Sequence, residues 1–295
     1  MRPSVQFPLA RRTLSLTASV QAPEATENRL PRSSSGCRGN RDARMGRNRR
    51  LQDSPPDVCS SWQHQVGGSI ATGVERRNSR NQVMTELSRQ YEEVANSVTH
   101  GLGALASVAA GSALVVLAIL RGDVWLAAGS AVFGATLVAL YSISTLYHAI
   151  PKPAVKARLK VADHCAIYAL IAGTYTPFML GGLRGGWGWT LFGVIWGLAT
   201  AGMVFKLFFT GRFRRLSTAV YLAMGWLVVI AAKPVAEALP GSVLAWLAVG
   251  GIAYTAGTAF YHSHKIPYSH AIWHLFVMAG STSHAVALAL LILAS

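Results

Sequence analysis

Ser269-His270-Ala271-Ile272-Trp273-His274 opens the last apolar run of the chain, which continues through Leu275 and Val277 to Leu293. A run of that length predicts a bilayer-crossing helix, since about 20 apolar residues span the ~30 Å of hydrocarbon. Two histidines stand four residues apart at its mouth. Four residues make about 400° of rotation and about 6 Å of rise, so both imidazoles leave one face roughly a turn apart. At that spacing one metal ion can take a nitrogen from each. Titratable rings at the edge of a membrane are costly to bury, so a use for them is the first hypothesis. The alternative is a pair of interfacial histidines bonded to water and backbone.

Working outward, the composition joins two facts that suit a chain in two parts better than one soluble globule. Hydrophobic residues make up 52% of it and the mean hydropathy is +0.34, yet the formal net charge is +15. Residues 1–83 hold fourteen Arg, no Lys and six acids; residues 84–295 hold thirteen Lys and Arg and six acids, set between apolar runs. The second part reads as an all-α, polytopic membrane protein. Its basic residues read as loop orientation, and no nucleic-acid partner is expected. Cys37, Cys59 and Cys165 form neither a disulfide framework nor a CxxC metal site, and Cys165 reads as a small packing residue.

Residues 1–83 are rich in Arg, Ser, Gly, Pro and Asn, with little apolar periodicity, which predicts disorder. No secretory signal is present, because Arg11-Arg12 interrupts the only early apolar stretch. Three readings compete for this tail: a disordered cytosolic segment, an organellar targeting peptide, or residues upstream of a true start at Met84. The last is favoured, since Met84-Thr85-Glu86-Leu87 leads straight into amphipathic sequence. Residues 84–97 then read as a short interfacial helix, and 98–295 as the transmembrane domain.

Seven spans are expected, at about 98–120, 124–148, 163–182, 187–209, 217–236, 242–261 and 271–294. Small residues such as Gly101, Gly129, Gly134, Gly193, Gly197, Gly202 and Gly250 would let helices approach closely, and Pro177 should kink the third span. Lys152, Lys156, Arg158 and Lys160 follow the second span. Arg212, Arg214 and Arg215 follow the fourth, and Lys265 the sixth. These basic loops share one parity, so the N-terminus is expected in the cytosol and the C-terminus outside.

That parity brings further polar residues to the depth of the opening pair. The second span ends inside at Ser144-Thr145-Leu146-Tyr147-His148 and the third begins there at Asp163-His164. Three imidazoles with an open fourth position are a catalytic zinc's ligand set, and three imidazoles without a thiolate suit zinc among divalent ions. Such an ion lowers the pKa of a bound water and polarises a carbonyl. Asp163 would hold that water or act as general base, and Ser144 would hydrogen-bond the water or a developing oxyanion. The structural alternative pairs Asp163 with a loop lysine such as Lys160 and leaves His148 at a wet interface. Glu93, Asn96, Thr99 and His100 lie on a helical stripe at the same level, either capping the bundle or surrounding the site. His164, His262 and His264 read as loop or interfacial. His284 lies about 15 Å beyond His274 at helical rise, too far to share its metal.

Taken together, Glu93-x-x-Asn96-x-x-Thr99-His100-x-x-Gly103, Ser144-x-x-x-His148, Asp163-His164 with Ala172-Gly173-Thr174-Tyr175-Thr176-Pro177, and Ser269-His270-x-x-x-His274 resemble the hemolysin III family. That family is the bacterial branch of the progestin and adipoQ receptor (PAQR) proteins, related to alkaline ceramidases. The resemblance covers about residues 86–295. It implies a seven-helix bundle in a bacterial plasma membrane, zinc on His148, His270 and His274, and Asp163 and Ser144 close by. It also implies hydrolysis of a lipid acyl amide. The ceramidase branch resembles Asp-x-x-x-Ser on the third span, whereas Asp163 is followed four residues on by Ile167, so either a different substrate or a weak activity is expected. The alternatives are a receptor or lipid-homeostasis sensor with a structural zinc, and a cytolytic protein. For cytolysis the residues offer no amphipathic strand pairs and no lumen-lining charge series.

Overall fold

The computed structural model describes the backbone of residues 58–263 and 265–295, with side chains from Glu75 onward. The expectations for residues 1–57, and for His264, lie outside the described residues. Among the described residues there are helices and no strands: α1 (Val58–Leu120), α2 (Val124–Ala149), α3 (Pro153–Pro177), α4 (Gly186–Phe209), α5 (Arg214–Gly225), α6 (Ala232–Ala238), α7 (Gly241–His262) and α8 (Ser269–Ala294). Seven segments are long and apolar enough to cross a membrane, with α5 and α6 forming the fifth together through a 3₁₀ turn at Leu227–Ala231.

Two expected boundaries move. The stretch expected as a separate interfacial helix, 84–97, is continuous with α1, whose backbone is helical from Val58. No proline follows Pro56 in this stretch, and Glu86 pairs with Arg89 one turn on at 2.7 Å, a helix-supporting spacing. The third span begins about ten residues early, because α3 opens with Pro153 in the first turn, where the missing N–H costs nothing. Asp163 therefore lies well inside α3 rather than at its N-terminus. A charge at that position gains little from the helix dipole, whose field fades within the first turn.

The spans pack in a definite order. α2 lies against α3, α3 against α4, and α7 against α8; α2 touches α8, and α5 touches both α3 and α7. α1 approaches α2 where Gly111 meets Gly134, a methyl group on either falling 3.1 Å from the other's Cα. Such close approach supplies packing where lipid supplies no hydrophobic drive between helices. Pro177 ends regular α3 geometry, and a π-helical turn follows at Phe178–Gly182. Gly129 makes room for it: a Cβ there would sit 2.5 Å from Pro177 Cα. Gly193 and Gly197, expected in a helix interface, face open space.

The two ends of the bundle differ. At one end Arg184 pairs with Asp123 at 3.1 Å, Asp123 caps α2, and Trp125 packs edge-on to Trp189. The basic connections gather at the other end. There Arg214 lies over the Tyr261 ring at 4.2 Å and donates to its carbonyl, tying the start of α5 to the end of α7.

Candidate metal centre and its cavities

α2, α8 and α1 together build the centre. His148 ends α2, while His270 and His274 lie one turn apart at the start of α8. One ligand nitrogen from each falls within 4.8 Å of the others. Two helices more than a hundred residues apart thus deliver the expected ligand set to one point. His148 and His274 are buried and His270 is partly so. The rings pack tilted or edge-on, at centroid distances of 4.6–5.2 Å.

The hydrogen bonds around these rings decide which nitrogens are free. His148 Nδ1 meets Glu93 Oε2 at 2.7 Å, and Lys156 Nζ lies 3.1 Å from the other carboxylate oxygen. His274 Nδ1 lies 3.2 Å from the Thr99 hydroxyl. The Nε2 atoms of His148 and His274 are buried with no hydrogen-bond partner. A buried, unpaired polar atom costs on the order of 1–3 kcal/mol. Two such atoms converging with a third imidazole fit a cation, and the donors are all nitrogen, as zinc accepts.

The stripe on α1, with its two roles of capping the bundle or surrounding the site, takes the second role for two of its members. Glu93 and Thr99 hold the Nδ1 atoms of His148 and His274, an arrangement that suits a histidine able to bind metal. His100 is buried, stacks on His274 at 3.5 Å, and has neither ring nitrogen bonded. It stands outside the three-histidine group. The amide oxygen of Asn96 is also buried and unpaired. The spacing on α1 was the signal for these residues; their ligand partners on α2 and α8 lie too far off in sequence for spacing to assign.

Asp163 and Ser144 interact with each other, and Asp163 shares the vestibule wall with His148 and His270. No ion pair joins Asp163 to Lys160 among the described residues. Asp163 lines two cavities at once. One, of about 470 Å³, is a polar vestibule walled by Glu93, His148, Lys206, Arg214 and His270. The other, of about 130 Å³, is largely apolar and runs between α3, α5, α7 and α8 past Leu170, Ile171, Tyr254 and Val277. Ile167, Tyr261 and Trp273 line both. The aliphatic side chain that stands where the ceramidase pattern has serine is thus at the junction. His284 reaches the apolar cavity and bonds the Leu247 carbonyl at 3.2 Å, away from the metal cluster. His262 meets the Thr218 hydroxyl at 3.0 Å, and His164 the Lys160 carbonyl at 2.6 Å. Cys165 is half-buried and its thiol points to the Met203 carbonyl at 3.7 Å.

Comparison with known proteins places this geometry in a family. Residues 88–285 match the family model described as haemolysin-III related. The chain is 50% identical over 192 residues to a hemolysin-3 homolog of Bacillus subtilis (strain 168), covering 65% of this chain and 90% of that protein. It is 47% identical over 190 residues to hemolysin-3 of Bacillus cereus, covering 64% and 87%. It is 31% identical over 206 residues to the human monocyte to macrophage differentiation factor, covering 66% and 82%.

Proposed function

This chain belongs to the haemolysin-III related family, and we propose that it is a zinc-dependent membrane hydrolase that cleaves a lipid acyl amide at the three-histidine centre. The observation that carries the reading is the position of Asp163: beside the histidine cluster, at the junction of a polar vestibule and an apolar cavity. A lipid needs both, one for its chain and one for its polar end.

His148, His270 and His274 would hold the ion. When bound, zinc polarises the acyl carbonyl and makes water a better nucleophile at neutral pH. Glu93 and Thr99 fix the orientation of His148 and His274 from behind. The apolar cavity takes the acyl chain, and Ile167, Tyr261 and Trp273 exclude bulk water around the reacting carbonyl. Asp163 accepts the proton of the attacking water and returns it to the departing nitrogen as the C–N bond breaks. The products are a fatty acid and an amine, with one water consumed. Ser144 holds the Asp163 carboxylate in place. Ile167 cannot donate the hydrogen bond a serine would, so the substrate differs from ceramide near that contact.

A second reading is favoured by the three-helix tie itself. A metal joining α2 to α8, with α1 bonded to both ligands, could serve only to hold the bundle of a sensor or receptor. Asp163→Asn separates the two. The hydrolase reading expects this variant to fold and keep its metal. Release of fatty acid from a panel of acyl amides should fall by about 10²–10⁴-fold, the range for a lost general base. No fatty-acid release by wild type from any of the amides, with the bundle unfolding once the metal is removed, would transfer support to the sensor.

A further inference from the structure

Lys206 is a charged side chain that the centre as described leaves unused. It lies near the end of α4, inside a span, and is 1% exposed. A buried ammonium is costly unless paired, and an ionisable group in a membrane helix usually marks a site. Yet its hydrogen bond goes to a neutral group, Ser217 Oγ at 2.6 Å. The Ser217 hydroxyl proton is directed to the Phe213 carbonyl at 3.2 Å, so the oxygen serves Lys206 as acceptor. Among the described residues no carboxylate lies within ion-pair distance of Lys206. An ammonium has three protons to give, and this one wall of the vestibule supplies a single acceptor.

The neighbouring charges deepen the imbalance. Lys160, Arg212 and Arg214 line the same vestibule. His164 and Gly211 line it with them, and a methyl group on Gly211 would sit 3.9 Å from Lys160 Nζ. Three carboxylates line the vestibule: Glu92, Glu93 and Asp163. Glu93 is engaged by His148 and Lys156, and Asp163 stands at the histidine cluster. Arg89, also on the vestibule wall, has its own partner in Glu86. The four remaining cations therefore face one uncommitted acid, Glu92.

We propose that the Lys206 corner of the vestibule binds a phosphate group, supplied by the headgroup of an anionic phospholipid. Lys206 and Ser217 form the floor of the site, and Lys160 and Arg214 its sides. The corner lies at the end of the bundle where the basic loops gather, the end that an anionic headgroup would be drawn to. The site holds or fails independently of any hydrolysis.

The test is lipid retention by the purified full chain in detergent, read by native mass spectrometry, with metal content measured on the same samples. Phosphatidic acid, phosphatidylglycerol and phosphatidylcholine are offered separately, and inorganic phosphate is titrated as a second arm. Wild type should retain the two anionic lipids at least about tenfold over phosphatidylcholine. Lys206→Met should abolish that preference without changing metal content, while Arg121→Gln at the opposite end keeps it. Binding of inorganic phosphate as tightly as of the anionic lipids would identify free phosphate as the ligand and overturn the lipid assignment. Should Lys206→Met fail to fold, the double change Lys160→Gln with Arg214→Gln must lower the preference instead. Equal retention of all three lipids by wild type, or a preference that survives loss of these cations, overturns the site.

Discussion

Glu93 shows at the residue scale what spacing can and cannot deliver. Its place on a polar stripe was legible in the sequence, as was the trio of His148, His270 and His274 that the fold brings together. Its partner was not, because 55 residues separate it from His148 and nothing local encodes that contact. Lys206 is hidden for a different reason: a lysine near a span end resembles every other loop cation until its burial is seen. If Glu93 orients His148 for a metal, Glu93→Gln should lower zinc affinity by about 10- to 100-fold, the usual cost of removing such a support. Titration with a competing chelator reads this directly. Thr99→Val, which removes a neutral contact to His274, should weaken binding less. Equal zinc affinity in wild type and Glu93→Gln would make the carboxylate a mere partner of Lys156.

At the scale of elements, the spans were legible because an apolar run of bilayer length in a helical chain is almost always a membrane crossing. Their ends were not. Pro153 starts α3 where charge and polarity suggested a loop, since proline suits a first helical turn and Lys156 and Lys160 find places at Glu93 and on the vestibule wall. The glycines likewise divide only in three dimensions. Gly129 meets Pro177, whereas Gly193 meets nothing within 4 Å. Gly129→Ala should therefore cost about 1–3 kcal/mol of stability, as overpacking against backbone does. Gly193→Ala should be neutral or slightly stabilising, because alanine is the better helix residue by about 1 kcal/mol. Thermal unfolding of the two variants in one detergent makes the comparison; a larger loss at Gly193 would mean that the α2–α3 contact is misplaced.

For the whole molecule, the alternation of loop charge foretold which connections share an end, and the Arg214–Tyr261 and Arg184–Asp123 contacts lie at opposite ends as expected. Which end faces the cytosol is an expectation of the basic-loop rule. With the native cysteines replaced, a cysteine at Arg212 should be labelled only after permeabilisation, and one at Gly186 in intact cells. The reverse pattern would invert the orientation. The parity argument also brought α2, α3 and α8 together, and the histidine cluster now gives that convergence a chemical reason. Two buried Nε2 atoms without partners would stay uncompensated in a metal-free bundle. The most direct test is elemental analysis of the purified protein, wild type beside His148→Ala. The account predicts about one zinc per wild-type chain and a large loss of it in the variant; wild-type protein free of metal, or a variant that keeps its full share, would contradict it.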